Sequence, residues 1–144
     1  MASNIESVRA WLRKCPVLDK SNAFRIDYIG DDPTCYAIFS APSALAFKRN
    51  ILGDARLSQI QTANFYFGVS CAFGADVATN AQNISELESM IEWINVQNIT
   101  KIFPAIDEGV VLAIMPTLTP YPMNISRDAA QYRVSIQMTY RRKQ

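Results

Sequence analysis

From Gln131 to Tyr140 polar and apolar residues alternate without interruption. Tyr132, Val134, Ile136, Met138 and Tyr140 form one row, and Gln131, Arg133, Ser135, Gln137 and Thr139 the other. A period of two is that of a half-buried β-strand, so this stretch predicts a strand with one row in a core and a polar row facing water, another protein or a nucleic acid. The same period appears in "AFRIDYIG", where Phe24, Ile26 and Tyr28 alternate with Arg25 and Asp27, and a second short strand is read in "CYAIFS", closed by Ala41-Pro42-Ser43. "GDDP" between them is a turn by composition. Further on, Ala63, Phe65, Phe67, Val69, Cys71 and Phe73 oppose Thr62, Asn64, Tyr66, Gly68 and Ser70. With Gly53-Asp54 as the turn, the segment from about Ala44 to Phe73 predicts a long hairpin with a projecting tip, its arms longer than one small sheet needs. "GVVLAIM" is another strand, which Pro116 must end, bend or confine to a sheet edge, and "ISRD" is the turn before the final strand.

Two stretches carry helical spacing instead. Ser3 and Glu6 form a capping box, Ile5, Val8, Leu12 and Cys15 recur on one face with Trp11 widening it, and Pro16 ends the run. A second helix is predicted from near Asn83. There Ile84, Leu87, Met90, Ile91 and Ile94 define one face and Glu86, Glu88, Glu92 and Asn95 the other, the acidic residues near its start suiting the helix dipole. The order helix, strands, helix, strands predicts an α+β fold with a mainly antiparallel sheet packed against two helices. No repeat, low-complexity tract or linker divides the chain, so residues 1–144 are read as a single domain.

Composition narrows what such a domain does. Fourteen basic residues nearly balance thirteen acidic ones, so no overall field draws the chain to DNA or to an anionic membrane. There is no histidine, which removes the commonest general base and the commonest metal ligand together. Three cysteines with no CxxC pair argue against a disulfide framework and a cysteine zinc site. Without a histidine to activate them, Cys15, Cys35 and Cys71 read as buried, inert thiols of a reducing compartment. The start has no apolar signal region, and "VVLAIM" is far too short to span a bilayer, so a soluble protein without an export signal is expected.

Asp27, Asp31 and Asp32 lie close together, but their Gly and Pro neighbours make them turn residues, and the spacing matches no calcium loop. There is no Gly-rich phosphate loop, RNP-type aromatic motif, helix-turn-helix spacing or zinc finger. Trp11 and Trp93 sit on the apolar sides of their helices and read as core. No catalytic, cofactor-binding or metal residues are assigned. The candidate interface consists of Lys48, Arg49, Gly53, Asp54 and Arg56 on the hairpin, with Arg133, Gln137, Arg141 and Arg142 on the final strand. Such cations touch phosphates in some proteins and in more of them form a solvated edge that discourages sheet-to-sheet pairing.

Several stretches occur here in a fixed order: "IESVRAWLRKCPVLD", "FRIDYIGDDPTCYAI", "FKRNILGDARLSQIQTANFYF", "IEWINVQN" and the closing "YRVSIQMTY". In these the chain resembles the minor capsid or tail completion family of tailed phages and prophages, whose members are similar to siphophage tail terminator proteins. The likeness spans nearly the whole chain and includes no catalytic signature. It departs from the family pattern at Cys35, where relatives often carry an acidic residue.

The resemblance implies a virion structural protein at the tail-neck junction, made in the bacterial host cytoplasm. Its implied partners are further copies of itself in a ring, usually hexameric, the tail tube protein below and the head-tail connector or head-closure protein above. Genomic DNA would pass through the lumen without sequence-specific binding, and no membrane or cofactor is implied. A head-closure or head-tail adaptor ring is the alternative within the virion. A small enzyme, such as an acyltransferase, and a nucleic-acid-binding module are the alternatives from other classes. The missing histidine and phosphate loop count against the first, and the near-zero net charge against the second.

Overall fold

A computed structural model describes residues 4–16, 18, 24–26, 35–49, 51–72, 77–107, 109–117, 119–123 and 129–143. Its elements in chain order are α1 (Asn4–Leu12), β1 (Phe24–Ile26), β2 (Cys35–Ala41), β3 (Phe47–Arg49), β4 (Ala55–Leu57), β5 (Ile60–Ala72), α2 (Val77–Thr100), β6 (Gly109–Pro116), β7 (Tyr121–Met123) and β8 (Ala129–Arg142). Six strands form the main sheet in the order β1-β2-β5-β8-β6, with β7 also pairing β8, while β3 and β4 make a separate two-stranded sheet. All main-sheet pairings are antiparallel except β1 with β2. The fold is α+β, as the order of periodicities predicts.

The alternating rows become one apolar face. Ile38 on β2, Phe67 on β5 and Val134 on β8 stand in register across three strands, as do Tyr36, Val69 and Tyr132. Val8, Leu12, Met90 and Ile94 of the two helices are buried in the same core as this face. Phe24, Tyr36 and Phe67 group their rings, with centroids 5.6–6.0 Å apart. The two tryptophans join the helices: their ring centroids lie 4.9 Å apart, and Trp11 Nε1 donates to Ile102 O at 3.0 Å. Arg9 ties α1 to β1, its Nε donating to Phe24 O at 2.7 Å.

Two expectations are corrected. The long hairpin does not form: β5 pairs with β2 and β8, and the hairpin is only the short ribbon of β3 and β4 around Gly53. Arms drawn from residues 44–52 would carry Lys48 and Arg49 in adjacent positions, setting one of them on the core face of β5. β8 offers an uninterrupted apolar row in the same place and β2 offers Tyr36 and Ile38, and burial of that surface decides the pairing.

The second helix starts at Val77, ahead of Asn83. No Gly or Pro interrupts the run, so a helix nucleated by the apolar stripe propagates through the polar residues before it. Its first turn consequently contains no acidic residue, and Glu86 lies about two and a half turns inside, beyond the reach of the terminal dipole. The final strand includes Arg141 and Arg142, as expected, and they pair with Ile60 of β5 and with Gly109 of β6 respectively.

The expectation for Pro116 is met, since it closes β6 on the sheet edge. Ser3, Asp27, Asp31, Asp32 and Phe73 lie outside the described residues, and of Cys35 and Cys71 only the backbone is described. Cys15 is fully buried.

Helix α2 ends in a Schellman motif. Lys101 adopts φ 59°, Ile102 N donates to Gln97 O at 3.0 Å and Lys101 N to Asn98 O at 3.3 Å. At the start of β6, a Cβ added to Gly109 would collide with the backbone carbonyl of Arg141. Backbone cannot rotate away as a side chain does, so Gly109→Ala is expected to cost about 1–3 kcal/mol by forcing β6 from β8. The measurement is the urea midpoint against the parent, and an unchanged midpoint would show that the strand pair yields freely.

Candidate assembly surfaces

The nine candidate interface residues fall in three places. Lys48, Arg49 and Arg56 are exposed on the ribbon of β3 and β4, with Gly53 and Asp54 at its tip. Gly53 has φ 87°, the left-handed conformation that suits glycine in so tight a turn. Arg141 and Arg142 end β8 beside the base of this ribbon, where Arg142 N donates to Gln59 O at 2.6 Å. Arg133 and Gln137 lie on the outer face of β8, with Arg133 roughly 27 Å along the strand from Arg141.

The ribbon is held from below by a residue that periodicity alone passes over. Gln61 sits on the inward row of β5 and is buried, yet its amide makes three hydrogen bonds to main chain. Its Nε2 donates to Ala46 O at 2.8 Å and to Ser58 O at 2.9 Å, while its Oε1 accepts from Ala46 N at 3.0 Å. Ser58 N also donates to Ala46 O at 2.9 Å. A side-chain amide thus replaces the strand that β5 lacks here, and it fixes both ends of the ribbon. The sequence signal was available: a glutamine opening an otherwise apolar row.

Above this anchor the ribbon is solvated and apolar. Leu45, Phe47 and Leu57 are exposed, and Ile51 and Leu52 at the tip reach 104% and 85% exposure. An unsupported two-stranded ribbon is marginal in water, and an apolar tip held there by a buried anchor is a candidate contact surface.

The opposite edge of the sheet also presents apolar residues. Val110, Leu112 and Met115 on β6 and Val96, Ile99 and Ile102 in and after α2 are exposed. A bulge between Val111 and Ala113 interrupts the edge. At Ile114 the edge is blocked by Asn98, whose Oδ1 accepts from Ile114 N at 3.0 Å and whose Nδ2 donates to Ile114 O. Asn98 continues the stripe of Leu87, Met90 and Ile94 at helical spacing, a polar residue in a core position that marks such a role.

The outer row of β8 is only partly open. The Arg133 guanidinium lies 5.3 Å from the Phe39 ring centroid and 5.7 Å from that of Tyr66. Ser135 is buried, its Oγ without a hydrogen-bond partner, and it lines a shallow pocket with Pro42, Asn64, Tyr66, Thr117 and Gln137. The polar row therefore meets its own chain as well as its surroundings. Strand alternation assigns a row to a face but says nothing of loops that fold over that face.

Among the described residues no group of three carboxylate or thiol side chains is placed to hold a metal ion. No described helix is long and apolar enough to cross a membrane. No protein-family model matches the chain, and no curated protein matches it at a significant level.

Proposed function

We propose that the chain is a ring-forming assembly subunit of a tailed phage, a tail terminator that caps the tail tube, stops its polymerisation and joins it to the head connector. The observation that carries this reading is the ribbon of β3 and β4, an exposed apolar and cationic projection pinned to the sheet by buried Gln61. Monomeric soluble proteins seldom hold so apolar a tip in water, and a second exposed apolar strip on β6 and α2 gives the subunit a further surface to bury in an assembly. The motif resemblance supplies the setting. In this reading the protein works by surface complementarity and symmetry, with no chemical step and no cofactor.

The test is the mass of the chain in solution, with and without the tail tube protein. A ring-sized species, or a monomer that assembles only on tubes, is the expected result; a monomer under both conditions that leaves tube growth unchecked would sink the reading. Particle density separates the terminator, seated on the last tube ring, from a head-closure adaptor one layer nearer the capsid.

A further inference from the structure

Two exposed surfaces of this chain each carry a like-charge pair, and the two pairs have opposite sign. On the ribbon, Lys48 and Arg56 are directly opposite one another in register, an arrangement that destabilises a strand pair. On α2, Glu88 and Glu92 are exposed one turn apart, which destabilises a helix in the same way. None of the four has an ion-pair partner among the described residues. Both surfaces also offer apolar area. Ile51 and Leu52 crown the ribbon, while Glu88 and Glu92 line a groove of about 490 Å³ together with Ile91, Thr119 and Pro120.

The surfaces are built from different elements of one subunit, the ribbon from β3 and β4 and the groove from α2 and the residues before β7. The ribbon lies between β2 and β5 in the chain, whereas α2 flanks β6, beyond β5 and β8 in the sheet order. Contact between two unlike surfaces of a subunit is heterologous, and it generates a ring when its rotation closes.

We propose that the ribbon of one copy docks into the α2 groove of the next, Lys48 and Arg56 meeting Glu88 and Glu92 while Ile51 and Leu52 cover Ile91 and Pro120. The occupant of the groove is thus a second copy of this chain. The inference rests on the ring reading above and adds to it the pair of surfaces that meet. Docking relieves the repulsion within each pair and removes the apolar tip from water, so neither surface is at its best alone.

The experiment reverses charge on each side of the full-length chain: K48E/R56E on the ribbon, E88K/E92K in the groove, and all four together. All four positions are exposed, so melting temperatures should stay near that of the parent, which establishes folding. Each one-sided variant should need roughly tenfold or more higher concentration to form rings, since like charges across an interface oppose docking. An equimolar mixture of the two one-sided variants should recover assembly, because each ribbon then finds a groove of opposite sign, and the fourfold variant should assemble unaided. One-sided variants that form rings like the parent would overturn the inference and leave the ring reading standing. So would a ribbon variant that forms rings but no longer caps tubes, since the ribbon's partner would then be the tube protein. Loss in both one-sided variants without recovery on mixing also overturns it. A parent chain that forms no ring, free or on tubes, removes both readings together.

Discussion

Val134→Asp is expected to abolish the folded state or to lower its melting temperature sharply. Val134 has no exposed surface and stands opposite Phe67 on β5, with Ile136 and Tyr132 following on the same buried row of β8. An aspartate there has no cation to pair with among the described buried residues, of which only Gln61 and Ser135 are polar or charged. It must then be buried charged or take up a proton, and either cost adds to the lost packing. A penalty of about 5 kcal/mol is a large part of the 5–15 kcal/mol that stabilises a domain. The variant should show no cooperative melting transition, or one lowered by roughly 10–20 °C.

The neighbouring outward residues set the contrast. Arg133→Glu removes a guanidinium from over two rings, each contact worth about 0.5–1 kcal/mol, and should leave a folded protein. Gln137→Glu should fold as well. If that row meets a partner in the assembled ring, both variants fold and assemble poorly. Variants that melt and assemble normally would show that the row meets only its own chain and water, whereas a Val134→Asp protein with the parent's melting curve would refute the core assignment.

Removing the tip of the ribbon should have the opposite signature. Replacing Asn50 to Asp54 by a two-residue turn deletes Ile51 and Leu52, exposed at 104% and 85%, and leaves Gln61 with its three hydrogen bonds to Ala46 and Ser58. Little buried surface is lost, so stability should change by less than about 1 kcal/mol. Assembly should fail outright, because the contact surface is gone while the domain persists. The measurements are the urea midpoint and the mass of the species formed on tail tubes. Normal ring formation by this deletion would remove the ribbon from the assembly mechanism. Gln61→Ala would give a graded form of the result, freeing the ribbon at about 1 kcal/mol for each hydrogen bond lost.

What the sequence by itself determined is local and periodic. Alternation from Gln131 to Tyr140 established β8, its buried row and its polar row, because side-chain direction along a strand follows from backbone geometry alone. The stripes through Val8 and Leu12 and through Leu87, Met90 and Ile94 established two amphipathic helices and, with the strand order, the α+β class. Pro116 limited its strand to one that ends, bends or lies on an edge before any partner was known, since a residue without an N–H cannot serve a central ladder. The cationic ribbon and its glycine turn were also legible as turn chemistry and charge.

Only the tertiary structure decided which strands meet. β5 has an apolar row that could have paired with the segment before it, and the choice of β2 and β8 follows from summed burial over distant residues, which no local window contains. The same holds for Gln61 and Asn98: each is a polar residue on a core stripe, and its use appears only when Ala46 or Ile114 brings an unpaired backbone group within reach. The start of α2 at Val77 reflects helix propagation from a packed stripe. That Ser135 is buried while its outward neighbours are half open depends on Pro42 and Thr117, loop residues brought beside β8 by strands that end there. Periodicity specifies a face, and the fold specifies what that face touches.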